Sequence, residues 1–190
     1  MTQDMSSEKM VNGVNVDNLF NTVVAVKGNP EIAKFTFKAK NNWISGGNNR
    51  TTVSQFYGAC QDHTHTKSFE YMEDEPAVLL GQDKGANPTE YALAALAGCL
   101  TTSLVYHAAA QGIKIDEVES TLSGHLDLQG FLGLSEKIRN GYSKIEVAFK
   151  VRADGVPRQK LDELITLAQN RSPVFDMLTN VTPVKVHLED

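Results

Sequence analysis

The chain has only two cysteines and no cluster of basic residues, and each scarcity closes off a class of protein. Cys60 and Cys99 are too few for the disulfide framework of a small secreted domain, so free intracellular thiols are the expectation. A net charge of -5 with no basic run argues against nonspecific binding to nucleic acid. Residues 1–18 are polar and contain Asp4 and Glu8, which is not the basic-then-apolar layout of a signal peptide, so a cytoplasmic location is expected. No GxSxG elbow surrounds Ser103 or Ser172, and no GxxxxGK[ST] loop occurs, so neither a serine hydrolase nor a P-loop enzyme is supported. No cofactor is expected. Repeats, linkers and low-complexity segments are also missing, so residues 1–190 read as one domain, with residues 1–12 as a mobile lead-in.

What the chain does have is a long apolar stretch at residues 85–112, GANPTEYALAALAGCLTTSLVYHAAAQG. Asn87 suits an N-cap, Pro88 the first helical position, and Glu90 the capping-box position, while Gly112 offers a left-handed stop. Thr101, Thr102, Ser103 and His107 interrupt the run, which makes an enclosed central helix a better reading than a membrane span. The two faces differ. Ala92, Ala95, Thr102, Ser103 and Tyr106 share the side of Cys99, small and hydroxylated, whereas Leu93, Leu100 and Leu104 lie on another.

The rest of the chain reads in order as follows. Residues 14–27 could form a short helix or a strand; the helix is preferred because Asp17 can cap it and Gly28-Asn29-Pro30 ends it. Residues 33–40 alternate as a strand and pair with residues 51–57 across a turn at Gly46-Gly47-Asn48-Asn49. Phe69, Tyr71 and residues 78–80 are strand candidates around an acidic turn at Glu73-Asp74-Glu75-Pro76. Residues 118–128 and 144–151 alternate again, separated by a glycine-punctuated insert that carries Phe131, Leu132 and Leu134. Residues 157–169 form an amphipathic helix, Ser172 and Pro173 start another, and residues 183–188 close as a strand.

Three groups of residues carry chemistry. Cys99 is a nucleophile only as a thiolate and needs an activator, which the helix N-terminus, about three turns away, does not supply. Its other reading is a buried structural cysteine. Cys60-x-x-His63-x-His65 has metal-ligand types at plausible spacing, with no third or fourth ligand named nearby, so the alternative reading is a polar strand or loop and no metal is assigned. Ser172 at a helix start reads first as a cap.

The stretch GANPTEYALAALAGCL, continued by TTSLVYHAAAQGI and followed by RSPVFDML, resembles the OsmC/Ohr family of osmotically induced and organic-hydroperoxide-resistance proteins. The resemblance implies an α+β fold in which an antiparallel sheet wraps a long buried central helix and two protomers intertwine as a homodimer. In the peroxidase members a cysteine of that helix attacks the peroxide, a glutamate and an arginine tune it, and a second cysteine resolves the sulfenic acid. Cys99 matches the first cysteine. Ser172 occupies the place of the resolving cysteine, Thr89 follows Pro88 where the family has its glutamate so that Glu90 comes one residue later, and the family's arginine is missing before Pro88. Arg171 is the nearest basic residue by sequence to the presumed site, and Cys60 is an alternative resolving thiol. This pattern resembles the OsmC-like branch with a single motif cysteine. It implies a redox protein that reduces organic hydroperoxides through Cys99 with an external thiol reductant. The alternative is a noncatalytic protein holding an apolar small molecule near Tyr106, Phe131 and Leu134.

Overall fold

The computed structural model describes residues 9–189, which form an α+β fold with antiparallel sheets and a long central helix. Two compact units are present, residues 17–92 and the remainder, and the chain passes between them twice, at the start of the first helix and inside the central helix. No linker composition marks either crossing because the chain makes both in continuous helix.

In the unit of residues 17–92, the first helix, α1 (Val16–Gly28, its first residue in the other unit), lies where the helix was expected but starts later than residue 14, because residues 14–15 are a strand, and Asp17 sits in its first turn rather than capping it. A turn of 3-10 helix, Pro30–Ala33, follows it, with the Asn29 side chain accepting from the Glu31 amide. The expected strand at 33–40 is broken into two pieces, Thr36–Phe37 and Lys40–Ser45. Both pieces pair with successive stretches of the long strand Asn48–Gly58. A two-residue turn at Ala59-Cys60, with φ of 47° and 64°, then reverses the chain into the strand Gln61–Glu73. Positive φ at both central residues is what a type I′ hairpin turn requires. The strand expected at residues 78–80 is instead 3-10 helix, Ala77–Leu79, because three residues beside Pro76 close a local turn more readily than they find a free edge.

The loop leading to the central helix is anchored by a carboxylate that the sequence presents as part of a solvated acidic turn. Asp74 is only 1% exposed, and its side chain accepts from the backbone N–H groups of Glu75, Gln82 and Lys84 at 2.8, 3.2 and 3.2 Å. Burial alone would raise its pKa, but the hydrogen bonds from Glu75, Lys84 and Gln82 outweigh it and hold the carboxyl below its ordinary value. Gly85 allows the loop to lie against the Met72–Glu73 backbone, since a Cβ there would fall 2.0 Å from the Met72 carbonyl oxygen.

In the other unit, Met10–Val11 (β1) and Val14–Asn15 (β2) form a small hairpin. Of the lead-in expected at residues 1–12, residues 1–8 lie outside the described residues, and Met10 and Val11 belong to this hairpin. Asn12 is anchored as well, donating to the Ile113 carbonyl and accepting from the Ile115 amide, both at 2.9 Å. Counting the strands of the first unit as β3 to β6, Glu117–His125 (β7) and Lys144–Arg152 (β8) pair antiparallel along their full lengths. Among the described residues the strands fall into three antiparallel sheets. Residues 183–188 alternate as a strand does but pair with no strand among the described residues, and Val184, Val186 and Leu188 are almost fully exposed. Alternation makes a segment suitable for a sheet, but an edge must be available to receive it.

The central helix α2, Pro88–Ala110, has the predicted limits. Asn87 Oδ1 accepts from the Thr89 amide at 2.8 Å, and Glu90 returns the contact by accepting from the Asn87 amide at 2.9 Å. At the other end Gly112 has φ of +70°, and the Ile113 amide bonds the Ala108 carbonyl. Only one stripe of α2 is buried, Leu96, Leu100 and Leu104 at four-residue spacing, continued by Ala108 and Ala109. In length and apolarity α2 would also suit a membrane, with mean hydropathy of 1.4 over its best window, but its leucine stripe packs inside the protein.

Candidate functional site

Cys99 is set by α2 at the edge of the packed stripe, between the buried leucines and the exposed Gly98, Thr102 and Tyr106. Its neighbours in the heptad sense, Leu96 and Leu100, are buried, whereas Cys99 itself is half-buried and Thr102 and Tyr106 are exposed. The thiol therefore stands on the small, hydroxylated face and the leucines hold the other face in the core. One group on the thiol's face is anomalous. Ser103 Oγ is shut off from solvent and has no hydrogen-bond partner among the described residues. A helical serine is ordinarily satisfied by the carbonyl four residues back, so an orphaned hydroxyl at this place marks an unfilled acceptor position.

The other candidates are not gathered around Cys99 by α2. Glu90 is engaged in the capping box at the helix start, and nine residues of regular helix turn it about 180° from the thiol. Thr89, which follows Pro88, donates from its Oγ1 to Asn87 Oδ1 at 2.6 Å. Both residues thus serve the helix N-terminus. Arg171 is the exposed last residue of α4 (Arg158–Arg171), where a cation suits the helix dipole. Ser172 is 2% exposed and caps the next helix, α5 (Pro173–Thr179), its Oγ accepting from the Phe175 amide at 3.1 Å. The cap read from sequence is therefore present.

Cys60 is exposed at the hairpin tip between β5 and β6. His63 and His65 follow it on β6, and both pack on Phe56, with ring centroids at 4.8 and 5.1 Å. His63 Nε2 also lies 3.1 Å from the Gly58 carbonyl. These histidines are part of an aromatic sheet face with Phe35, Phe37 and Phe69. No group of three or more His, Cys, Asp or Glu side chains suited to a metal occurs among the described residues.

The apolar insert between β7 and β8 holds a short helix, α3 (Leu128–Phe131), capped by Asp127. Phe131, Leu132 and Leu134 are 73%, 59% and 69% exposed, as their sequence setting suggests.

The family model for OsmC-like protein matches residues 81–187, which include the capping box, Cys99, Arg171 and Ser172. The chain belongs to the OsmC-like protein family. Its fold is similar to that of an OsmC-like protein from Mycoplasma pneumoniae, with TM-score 0.60 and 16% identity over 77% of this chain and 89% of that one. An OsmC-like protein of unknown function from Vibrio cholerae O1 biovar eltor gives 0.57 and 15%, covering 74% and 92%. An organic hydroperoxide resistance protein OsmC from Legionella pneumophila gives 0.52 and 19%, covering 76% and 89%. A search of curated protein sequences gave no match. At such identities the structural likeness establishes the OsmC-like fold, and the chemistry has to be argued from this chain's own residues.

Proposed function

We propose that this OsmC-like protein is a thiol-dependent redox protein that reduces organic hydroperoxides through Cys99. The observation that carries the reading is a half-buried cysteine on the open, small-residue face of α2, inside the stretch that matches the family. The Cys99 thiolate attacks the outer peroxide oxygen, the O–O bond breaks, and the alkoxide leaves with a proton as alcohol. Sulfur is oxidised by two electrons to sulfenic acid as the peroxide is reduced. Ser172 stands where a resolving cysteine would be and is committed to capping α5, so an external thiol condenses with the sulfenic acid, releasing water. A second thiol then frees Cys99 and carries away the disulfide. Cys60 is the alternative resolving thiol within the chain, and Arg171 is the cation we assign to the peroxide site.

The test is to treat the protein with cumene hydroperoxide, trap with a sulfenic-acid reagent and locate the label by mass. Labelling at Cys99 is expected, and its absence overturns the reading. We assign the active form to an intertwined homodimer in the cytoplasm. The incompletely covered face of α2 supports the assembly, and a monomer by sedimentation would remove it.

A second reading is favoured by the exposed Phe131, Leu132 and Leu134. Together with Tyr106 they suit a noncatalytic site for an apolar small molecule. Retained ligand affinity in Cys99→Ser, combined with no hydroperoxide turnover in the parent, would decide for it.

A further inference from the structure

We propose that residues 183–188 are a strand that adds to the open edge of β7 in a second copy of this chain, each copy giving its segment to the other. The inference rests on the homodimer assignment and names the segment and the edge that join the two copies. After Pro183 the segment alternates strictly, with Val184, Val186 and Leu188 on one side and Lys185 and His187 on the other. A strand of that pattern buries its apolar side, yet Val184, Val186 and Leu188 are 79%, 92% and 95% exposed, and the segment joins no sheet among the described residues. Its backbone N–H and C=O groups are thus open to pairing with another strand, and proline is tolerated at the first position of one.

Pattern and charge select the acceptor. β7 and β8 form a sheet of two strands, so each has one edge without a partner strand among the described residues. In both, exposed and half-buried residues alternate regularly over the whole length. The exposed side of β7 carries Glu117 and Glu119, two residues apart as Lys185 and His187 are, whereas that of β8 carries Lys144, Lys150 and Arg152 against the single acid Glu146. Opposite charges on neighbouring strands stabilise a sheet and like charges directly opposite destabilise it. A strand laid on the β7 edge therefore sets Lys185 and His187 beside carboxylates, while its valines and leucine join the half-buried side with Val118 and Leu122. On the β8 edge Lys185 would meet like charge. Glu117 and Glu119 already lie 3.9 and 3.6 Å from Lys150, but their side chains remain 45% and 60% exposed, open to a second cation. The edges of the four-stranded sheet match less well, since β4 is exposed on both faces and β6 is offset by a register shift after Val53. The segment is unpaired in its own chain, so a second copy supplies the edge, and reciprocal exchange closes the pair.

The experiment is sedimentation of the full chain and its variants over a range of concentrations. Val186→Pro takes a donor from the strand at a residue that is 92% exposed in the single chain, so it blocks pairing without touching the core. It is expected to raise the dimer Kd about tenfold or more. Two charge-reversed variants, Lys185→Glu with His187→Glu and Glu117→Lys with Glu119→Lys, should each weaken the dimer by about tenfold alone. An equimolar mixture of the two should recover the parent affinity, because each reversed segment then meets a reversed edge on the other chain. A Val186→Pro dimer as tight as the parent would overturn the strand exchange and leave the homodimer standing, whereas a monomeric parent would remove both. A mixture as weak as its components, with affinity recovered when all four changes share one chain, would place the pairing within a chain and overturn the exchange. Melting curves accompany each variant, and Val186→Pro carries the decision if the loss of the Lys150 contacts unfolds the β7 variant. Cys99 takes no part in the measurement, so its outcome is separate from sulfenic-acid trapping.

Discussion

Replacing Ser172 by alanine is expected to destabilise the protein by about 2 kcal/mol, although the residue is only a small hydroxyl at the edge of two helices. Loss of a serine N-cap typically costs about 1 kcal/mol. Here the residue is 2% exposed, and its Oγ is the acceptor for the Phe175 amide at 3.1 Å. Because the serine is almost wholly buried, the loss belongs at the upper end of the capping range, about 2 kcal/mol. In a chain of this size 2 kcal/mol lowers Tm by roughly 4–8 °C. The assay is a thermal melt followed by circular dichroism, with Ser172→Asp and Ser172→Thr as variants that retain a capping oxygen. Thr is expected to restore most of the loss, while Asp restores less because it places a charge in a buried position. An alanine variant that melts with the parent would refute the view that this position is held by a folding role. Ser172→Cys should lose most of the cap too, since sulfur is a weak acceptor. A resolving cysteine here would therefore come at the expense of α5.

Three further outcomes follow from the same contacts. Leu104→Ala removes a 1% exposed side chain from the buried stripe of α2 and should cost about 3 kcal/mol in a urea melt, with an unaltered m-value. Asp74 has a folded pKa below its ordinary 3.8, so its stabilising contribution is fully present above that pH and is lost as pH falls through the lowered folded value. Asp74→Asn should therefore be less stable at neutral pH and show a shallower fall in stability in acid; an acid-denaturation profile parallel to that of the parent would contradict this. Glu90→Ala removes the reciprocal half of the capping box and should cost about 0.5 kcal/mol, with Cys99 alkylation unchanged. A large drop in alkylation would instead tie Glu90 to the thiol.

The elements legible in the sequence are those whose limits are set by local chemistry. Asn87, Pro88, Glu90 and Gly112 fix both ends of α2 through bonds spanning at most a few residues, and Ser172 with Pro173 does the same for the start of α5. The alternation in β7 and β8 is likewise local, and the two strands found each other across the insert. Where pairing depends on a distant edge, sequence was a weaker guide. Residues 33–40 split between two short strands on one edge of β5, residues 77–79 closed a 3-10 turn, and residues 183–188 joined no sheet among those described. The burial of Asp74 had no signal beyond an acidic turn, because its three donors come from a loop that bends back over eleven residues.

The sequence by itself determined that a cysteine would sit near the middle of a sharply bounded helix, with small and hydroxylated residues on its side and leucines on another. Tertiary structure decided which of those faces enters the core. The leucine stripe is buried because it removes the most apolar surface from water, and that choice leaves Cys99 half-covered and isolates the Ser103 hydroxyl. Periodicity can name the faces of a helix, but only packing against the rest of the chain determines which one meets water.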